Sequence, residues 1–353
     1  MDKRLVYVGG VPIGKPDYIP VQSMTNTKTH DVTATVEQIH ALAAAGCNIV
    51  RVSVPDRESA ATIRSIRDQI PLPLVADIHF DYRLAIEAME NGADKIRFNP
   101  GNIGDAQRVR TLVACAKSHQ TPIRIGVNGG SLEADIKERF GGATPDALVE
   151  SAMRHVRLLE DENFHDIVIS LKSSSVANTV EAYRLMAKTC AYPLHIGVTE
   201  TGTVEDGIVK SAIGIGTLLL DGIGDTIRVS LSDNPVREVE TGLRILRALH
   251  LRRDDVEIIS CPTCARTNVE LLKIIDQVSN SLPRRKGYLK VAIMGCAVNG
   301  PGEAGDADIG IAFGAGNGVL FKRGDKVASG TADEMIAALI REATAMLERA
   351  AEK

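Results

Sequence analysis

Eight short apolar segments alternate with eight helical patterns between residues 19 and 250, and this repeat limits the possible folds more than any other feature. The strand candidates are 19–25, 48–54, 74–80, 95–99, 122–128, 166–172, 194–200 and 226–231. Apolar residues recur at helical spacing in 33–45, 57–69, 82–91, 105–118, 145–161, 176–190, 205–220 and 235–249. Strands that each lead into a helix predict parallel pairing. Eight such units favour an α/β fold of the (β/α)8 TIM-barrel type over an open sheet.

The pattern changes near residue 250, where the charged segment 251–256 predicts a linker. Beyond it, strands are expected near 257–260, 289–294, 307–313 and 318–322, with helices near 267–280 and 331–350. We therefore expect a barrel domain over 1–250, capped at its base by a hairpin within 1–18. A small α+β domain is expected over 257–353.

Composition narrows the functional classes. The chain has 353 residues, of which 44% are hydrophobic, and a formal net charge of −4. A mildly acidic globular protein is a poor candidate for general nucleic-acid binding. No apolar run reaches the ~18 residues of a membrane span, and the first residues lack the apolar stretch of a signal peptide. We expect a cytoplasmic protein whose six cysteines are thiols or metal ligands rather than a disulfide framework.

The predicted barrel strands carry polar residues on the face that points inward. In 48–54, Arg51 alternates with valines, and because the valine face must pack on helices, Arg51 enters the barrel. The same alternation directs these residues inward: Asp77, His79, Arg97, Asn99, Arg124, Asn128, Ser170, Lys172, His195, Thr199, Arg228 and Ser230. One such arginine alone would be read as a structural ion-pair residue. Cations of the same parity on five strands instead predict a polyanion pocket, most simply for a diphosphate, because arginine matches phosphate oxygens bidentately.

Three cysteines in the second domain have the spacing of a metal site. Cys261 and Cys264 form a C-x-x-C pair, and Cys296 lies in a loop rich in Gly and Pro. A thioredoxin-like pair would not need a third cysteine, and a structural zinc site would usually have a fourth Cys or His. A [4Fe–4S] cluster held by three cysteines would leave one iron for a weaker ligand, for which Glu303 is the candidate. Iron–sulfur, zinc and metal-free interpretations all remain open on residue types alone. The remaining cysteines, Cys47, Cys115 and Cys190, are expected to be small buried residues.

Several motifs resemble those of the 4-hydroxy-3-methylbut-2-enyl diphosphate synthases, the iron–sulfur enzymes of the non-mevalonate isoprenoid pathway. The most specific are C-P-T-C at 261–264 and M-G-C-A-V-N-G-P-G-E-A at 294–304. The others are V-Q-S-M-T-N-T-K-T-H-D at 21–31, R-F-N-P-G-N-I-G at 97–104, R-I-G-V-N-G-G-S-L at 124–132 and S-L-K-S-S at 170–174. The likeness covers nearly the whole chain and is to the short bacterial form, because no extra domain fits between barrel and cluster domain.

The resemblance implies reductive ring opening and dehydration of 2-C-methyl-D-erythritol 2,4-cyclodiphosphate, with flavodoxin or ferredoxin as electron donor. It implies cluster ligation by Cys261, Cys264, Cys296 and Glu303, and it matches Asp77, Asn128 and Glu200 to polar residues near the substrate. We expect catalytic roles for Asp77, Glu303 and Glu200, with Glu200 as the acid that protonates the leaving hydroxyl group. The substrate-binding residues that it implies, some by looser alignment, are Arg51, Arg97, Arg124, Asn128, Lys172, His195, Arg228 and Ser230. The alternative is a non-redox barrel synthase acting on a phosphorylated ligand, with a structural zinc domain.

Linker length leads to a prediction about assembly. The last barrel helix, 235–249, carries the chain about 20 Å away from the barrel mouth, since a helix rises ~1.5 Å per residue. A linker of six residues spans at most ~22 Å, too little to return around the barrel. We therefore expect a head-to-tail homodimer in which the cluster domain of one copy serves the barrel of the other.

Overall fold

The computed structural model describes residues 3–79, 81–98, 106–314 and 317–351. The chain divides into two compact units, with the boundary between Leu251 and Arg252. The first unit opens with an antiparallel hairpin, β1 (Val6–Val8) and β2 (Val11–Ile13). Its barrel strands are β3 (Gln22–Met24), β4 (Ile49–Ser53), β5 (Leu74–Asp77), β6 (Lys95–Phe98), β7 (Ile123–Asn128), β8 (Ile167–Lys172), β9 (His195–Ile196) and β10 (Thr226–Ile227).

These strands close into a barrel. β3 to β8 form a parallel sheet in chain order, and β9 pairs in parallel with β10. Parallel bridges from Ile169 to Leu194 and from Val21 to Ile227 join the two sheets at both ends. The predicted TIM barrel is confirmed, with strands shorter than the sequence pattern suggested. The predicted strand ends at 80 and 99 and the helix start at 105 lie outside the described residues.

The helices of the first unit follow the predicted segments closely. They are α1 (Val32–Ala45), α2 (Arg57–Arg67), α3 (Tyr82–Glu90), α4 (Ala106–Ser118), α5 (Ala134–Phe140), α6 (Pro145–Glu160), α7 (Val176–Thr189), α8 (Val204–Leu220) and α9 (Pro235–Ala248). Capping sets several of the ends. Asp31 accepts a hydrogen bond from the Ala34 N–H at the start of α1, and Gly46 ends that helix at a φ of 97°. The short helix α5 was not predicted, because seven residues carry little periodic signal.

The core of the first unit lies between the strands and the helices. Val50, Val52 and Val54 of the β4 segment belong to it, so the predicted division of this strand into an apolar and a polar face is confirmed. A separate cluster joins Val8 and Ile13 of the hairpin to Ile49 and Val168 near the amino ends of barrel strands. The hairpin therefore closes the base of the barrel, as predicted, and leaves the carboxyl ends of the strands for the site.

The second unit is a mixed sheet covered by helices. Its elements are β11 (Val256–Ser260), α10 (Leu271–Ser281), β12 (Leu289–Met294), α11 (Gly300–Gly305), β13 (Ile309–Gly314), β14 (Asn317–Lys322), β15 (Asp325–Thr331) and α12 (Ala332–Ala351). The strands pair in chain order, in parallel from β11 to β13 and antiparallel from there to β15. The sequence pattern predicted four of these strands and missed β15, whose face is mostly exposed and polar. No helix among the described residues is both long and apolar enough to cross a bilayer.

Candidate active site

The barrel strands bring the predicted cations together in one pocket. A cavity of about 220 Å³ is lined by Met24, Arg51, Asp77, His79, Arg97, Arg124, Asn128, Ser170, Lys172, Thr199 and Arg228. These residues come from strands on all sides of the barrel or from the turns that follow them, and the register sets Arg97 of β6 directly beside Arg124 of β7. The pocket therefore holds a strong positive charge at the strand ends where barrel enzymes bind their substrates.

Asp77 is the acidic residue that holds two of these cations in place. The Nη1 of Arg97 donates to the Asp77 Oδ1 at 3.0 Å, and the Nε of Arg51 lies 3.5 Å from the Oδ2. β5 lies between β4 and β6, so one carboxylate reaches an arginine on each side. Burial opposes the ionisation of Asp77, but the neighbouring arginines outweigh it and lower the pKa to about 2. The carboxylate is therefore ionised at every physiological pH.

Other guanidinium nitrogens in the pocket have no hydrogen-bond partner among the described residues. Arg124 is only 1% exposed, yet its Nε and Nη1 make no hydrogen bond, and the Nε atoms of Arg97 and Arg228 are also unpaired. Burial, together with the charges of Arg51 and Arg97, lowers the pKa of Arg124 well below its usual value. Unpaired buried donors and crowded like charges are both unfavourable, and an anion in the pocket would relieve both.

Arg228 is oriented by a carboxylate that the sequence reasoning missed. Its Nη2 lies 3.2 and 3.3 Å from the two carboxylate oxygens of Glu238, a residue of α9 that is 4% exposed. Glu238 also accepts hydrogen bonds from the Ser23 hydroxyl and the Leu231 N–H. Helical periodicity places Glu238 on the face of α9 that packs on the core. An acidic residue at such a position was the sequence signal for a buried ion pair.

Glycine at an inward position makes room for Arg97. A Cβ at Gly126 of β7 would lie 2.4 Å from the Arg97 Nε and 2.9 Å from its Nη2. The Gly126 carbonyl in turn accepts a hydrogen bond from that Nη2 at 3.3 Å. The absence of a side chain on this strand thus lets the guanidinium of the neighbouring strand lie across the barrel interior.

Three predicted site residues do not line the cavity. Glu200 is exposed and has a left-handed φ of 54°, directly after Thr199, which does line it. His195 is fully buried, and neither of its ring nitrogens has a partner. The hydroxyl of Ser230 is also buried and unpaired. Asn99 and the rest of the motif at 99–104 lie outside the described residues.

The three cysteines of the second unit share another cavity. Cys261 directly follows β11, and Cys296 follows β12 by two residues. Because β11 and β12 are adjacent and parallel, their carboxyl ends meet at one edge of the sheet. The cavity there measures about 470 Å³, and its lining includes Cys261, Cys264, Cys296 and Glu303.

The donors at this edge suit an iron–sulfur cluster. The Gly295 N–H donates to the Cys261 Sγ at 3.2 Å, and none of the three thiols is in a disulfide. Hydrogen bonds from the backbone and side chain of Arg266 lower the pKa of Cys264, and backbone N–H groups of Val298 and Asn299 lower that of Cys296. Thiolates that accept N–H bonds are typical cluster ligands. Within the described ranges, no group of three Cys, His, Asp or Glu side chains is arranged to hold a single metal ion.

Comparison with known proteins identifies the family. The model of the GcpE TIM-barrel domain matches residues 3–243, and the model of the GcpE protein C-terminal domain matches residues 257–345. The chain belongs to the GcpE family. A protein of Caldanaerobacter subterraneus subsp. tengcongensis is 58% identical over 321 residues, 91% of this chain and 90% of its own length. One of Ruminiclostridium cellulolyticum is 54% identical over 343 residues, 97% of each. Both relatives are named 4-hydroxy-3-methylbut-2-en-1-yl diphosphate synthase (flavodoxin).

Solved structures resemble this GcpE family member in the barrel fold alone. A dihydropteroate synthase of Xanthomonas albilineans has a TM-score of 0.50 at 14% identity, over 70% of this chain and 98% of its own. A phospho-2-dehydro-3-deoxyheptonate aldolase of Thermotoga maritima also has a TM-score of 0.50, at 16% identity over 70% of this chain and 74% of its own. The family assignment therefore comes from the sequence matches, and the structures agree on the architecture.

One further cation of this GcpE family member was missed by the sequence reasoning. Lys95 is the first residue of β6 and lies two residues before Arg97, so it faces the barrel interior as well. It is fully buried, and its Nζ has no hydrogen-bond partner. The strand alternation that directs Arg97 inward also directs Lys95 inward, so the signal was present in the sequence.

Proposed function

We propose that this GcpE family member catalyses the reductive ring opening and dehydration of 2-C-methyl-D-erythritol 2,4-cyclodiphosphate to 4-hydroxy-3-methylbut-2-enyl diphosphate. The observation that carries the proposal is the cation-lined cavity at the carboxyl ends of the barrel strands. Its relatives bear the name of this enzyme and are more than 50% identical over nearly the whole chain. The reaction consumes two electrons and a proton: a ring C–O bond breaks, a hydroxyl group leaves as water and a double bond forms.

The barrel residues bind and orient the substrate. Arg97, Arg124 and Arg228 each carry buried guanidinium nitrogens that lack protein partners and can donate to phosphate oxygens. Lys172 and Arg51 add charge from other strands of the barrel, and Asp77 and Asn128 of the same lining would contact the hydroxyl groups of the substrate. These interactions would hold the reacting carbons at a fixed depth in the barrel and exclude water from the diphosphate.

Glu200 is our proposal for the proton donor to the leaving hydroxyl group. It directly follows Thr199 of the cavity lining, and its exposed side chain is available to meet a substrate whose diphosphate occupies the pocket. Ser230 and His195 do not line the cavity. We propose that they pack beneath the substrate-binding residues and hold them in position.

The second unit would hold a [4Fe–4S] cluster through Cys261, Cys264, Cys296 and Glu303. When bound, the cluster supplies one-electron transfer and a Lewis-acidic iron. The Cys261 Sγ accepts a backbone N–H, neighbouring N–H donors lower the pKa of Cys264 and Cys296, and Glu303 of the same cavity would contribute an oxygen ligand. Flavodoxin, named for the relatives, or a ferredoxin would deliver the electrons.

We also propose a cytoplasmic homodimer in which each site combines two copies. Free thiols at every cysteine suit a reducing compartment. Residues 249–255 separate the last residue of α9 from the first of β11, and seven residues reach at most about 25 Å. Since α9 runs about 21 Å back from the barrel mouth, the linker has no length left to return around its own barrel.

The test is cluster content and turnover of anaerobically purified protein. We expect a brown protein with about four iron and four sulfide per chain, as cluster stoichiometry requires. With the cyclodiphosphate and reduced flavodoxin, this protein should form 4-hydroxy-3-methylbut-2-enyl diphosphate. The Cys296→Ser variant should lose the iron and the activity together.

Cys115→Ser is the matched control, since Cys115 lies on α4 and outside the thiol cavity. It should keep both iron and turnover. A colourless protein that binds one zinc per chain even after iron–sulfur reconstitution would overturn the proposal and favour the non-redox barrel synthase.

A further inference from the structure

Among the residues that the structure describes, no carboxylate forms an ion pair with Lys95 inside the barrel. Its Nζ makes no hydrogen bond, and its side chain is fully buried at the start of β6. Other buried polar groups of the barrel are also unsatisfied: both ring nitrogens of His195 and both amide atoms of Gln22 lack partners. A buried ammonium ion without a partner is strongly unfavourable, so this position needs either neutrality or an anion.

The charges around Lys95 are mostly positive. The charged and titratable groups on the inward face of the barrel are Arg51 on β4, Asp77 on β5, Arg97 on β6, Arg124 on β7, Lys172 on β8 and His195 on β9, with Arg228 directly after β10. The ion pairs in this interior come from Asp77, to Arg51 and Arg97, and from Glu238, to Arg228. Burial, followed by the charges of Arg124 and Arg51, lowers the pKa of Lys95 well below its usual value.

Binding of the substrate would reduce the excess of positive charge around Lys95. A cyclic diphosphate carries one negative charge on each phosphorus near neutral pH and has no phosphoryl group that titrates there. The carboxylates of Asp77 and Glu238 neutralise only part of the positive charge in the barrel. The basic residues there are Arg51, Lys95, Arg97, Arg124, Lys172 and Arg228. An anion beside Arg124 stabilises a positive charge on the lysine below it, so binding and protonation favour each other.

We propose that Lys95 is an electrostatic positioning residue that takes up one proton from solvent when the cyclic diphosphate enters the barrel. This inference rests on the proposed function, because it takes the cyclodiphosphate as ligand. The proton moves from buffer to the amine of Lys95, and no covalent bond of the substrate changes. The empty barrel therefore holds one unpaired positive charge fewer, because Lys95 is neutral. The barrel with bound diphosphate gains that charge, because Lys95 is protonated.

Isothermal titration calorimetry tests this directly. The cyclodiphosphate is titrated into anaerobic, cluster-loaded protein without reductant, in buffers of different ionisation enthalpy at one pH. We expect the observed enthalpy to rise with buffer ionisation enthalpy, with a slope that corresponds to uptake of up to one proton. Affinity should fall by up to about tenfold per pH unit as the pH rises.

Lys95→Met is the test variant and Lys188→Met, on the exposed face of α7, is the matched control. The Lys95 variant should lose the proton slope, bind several-fold more weakly at low pH and melt at a higher temperature without ligand. The Lys188 variant should behave as the parent protein does. A zero slope in the parent, or an unchanged slope in the Lys95 variant, would overturn the inference. Failure of the parent to bind at all would instead count against the proposed function.

Discussion

At the scale of single residues, the barrel site depends on Asp77. Its carboxylate is the partner of both Arg51 and Arg97, and it is 3% exposed. A pKa lowered from 3.8 to about 2 corresponds to about 2–3 kcal/mol of stability at neutral pH. Because the folded pKa lies below the unfolded one, this stabilisation is complete above about pH 4 and is lost as the pH falls toward 2.

Asp77→Asn keeps the shape of the side chain and removes its charge. We expect the free energy of unfolding at pH 7 to fall by about 3 kcal/mol, since two buried guanidinium groups lose the carboxylate with which they pair. Urea unfolding of parent and variant between pH 2 and 7 measures the difference, which should shrink below pH 4. Asp135→Asn, at an exposed ion pair with Arg154, is the control and should change stability little. Equal stability of parent and Asp77 variant at pH 7 would contradict this account.

At the scale of the elements, β7 leaves room for an arginine side chain of the neighbouring strand β6. Arg97 of β6 lies over Gly126 of β7, where a methyl group would come within 2.4 Å of the Nε. The same strand contributes Arg124 and Asn128 to the cavity. β7 thus supplies two side chains of the cavity lining and, because Gly126 has no side chain, the room for the Arg97 guanidinium of β6.

Gly126→Ala should weaken diphosphate binding without unfolding the barrel. Displacement of a packed side chain typically costs about 1–3 kcal/mol, which is roughly a 5- to 150-fold loss of affinity. Titration with the cyclodiphosphate measures it, and the melting temperature should change only by a few degrees. Gly130→Ala is the matched control in the turn that follows β7, because a Cβ there meets nothing within 4 Å. Unaltered affinity of the Gly126 variant would show that Arg97 does not need this space to bind the ligand.

At the scale of the whole molecule, the proposed shared site can be tested by complementation. One copy carries Arg124→Met in the barrel and the other carries Cys296→Ser in the cluster domain. Heterodimers selected with two different tags should regain about half of the parent activity, since one of their two sites combines an intact barrel with an intact cluster. If each site used a single chain, every site would be defective and the heterodimer would be inactive. Failure to recover both tags together would contradict the dimer itself.

Much of this protein is readable from the chain alone. The alternation of short apolar segments with helical periods sufficed for the barrel, because each strand must bury one face and each helix one stripe. Strand parity alone directed Arg51, Arg97 and Arg124 inward, since neighbouring side chains on a strand point to opposite faces. The spacing of the C-x-x-C pair and the third cysteine, Cys296, likewise predicts that these thiols act together, and the structure brings all three to one cavity.

Only the tertiary structure decided which of these inward side chains form ion pairs with one another. Parity cannot say that Asp77 reaches arginines on both neighbouring strands, or that Glu238 of α9 enters the interior to pair with Arg228, since those contacts depend on register between distant segments. The same holds for Lys95. Its Nζ has no hydrogen-bond partner among the described residues, and this depends on which side chains of the other strands reach it. Sequence determines which side chains face inward through local geometry, whereas their charge states follow from burial and three-dimensional neighbours.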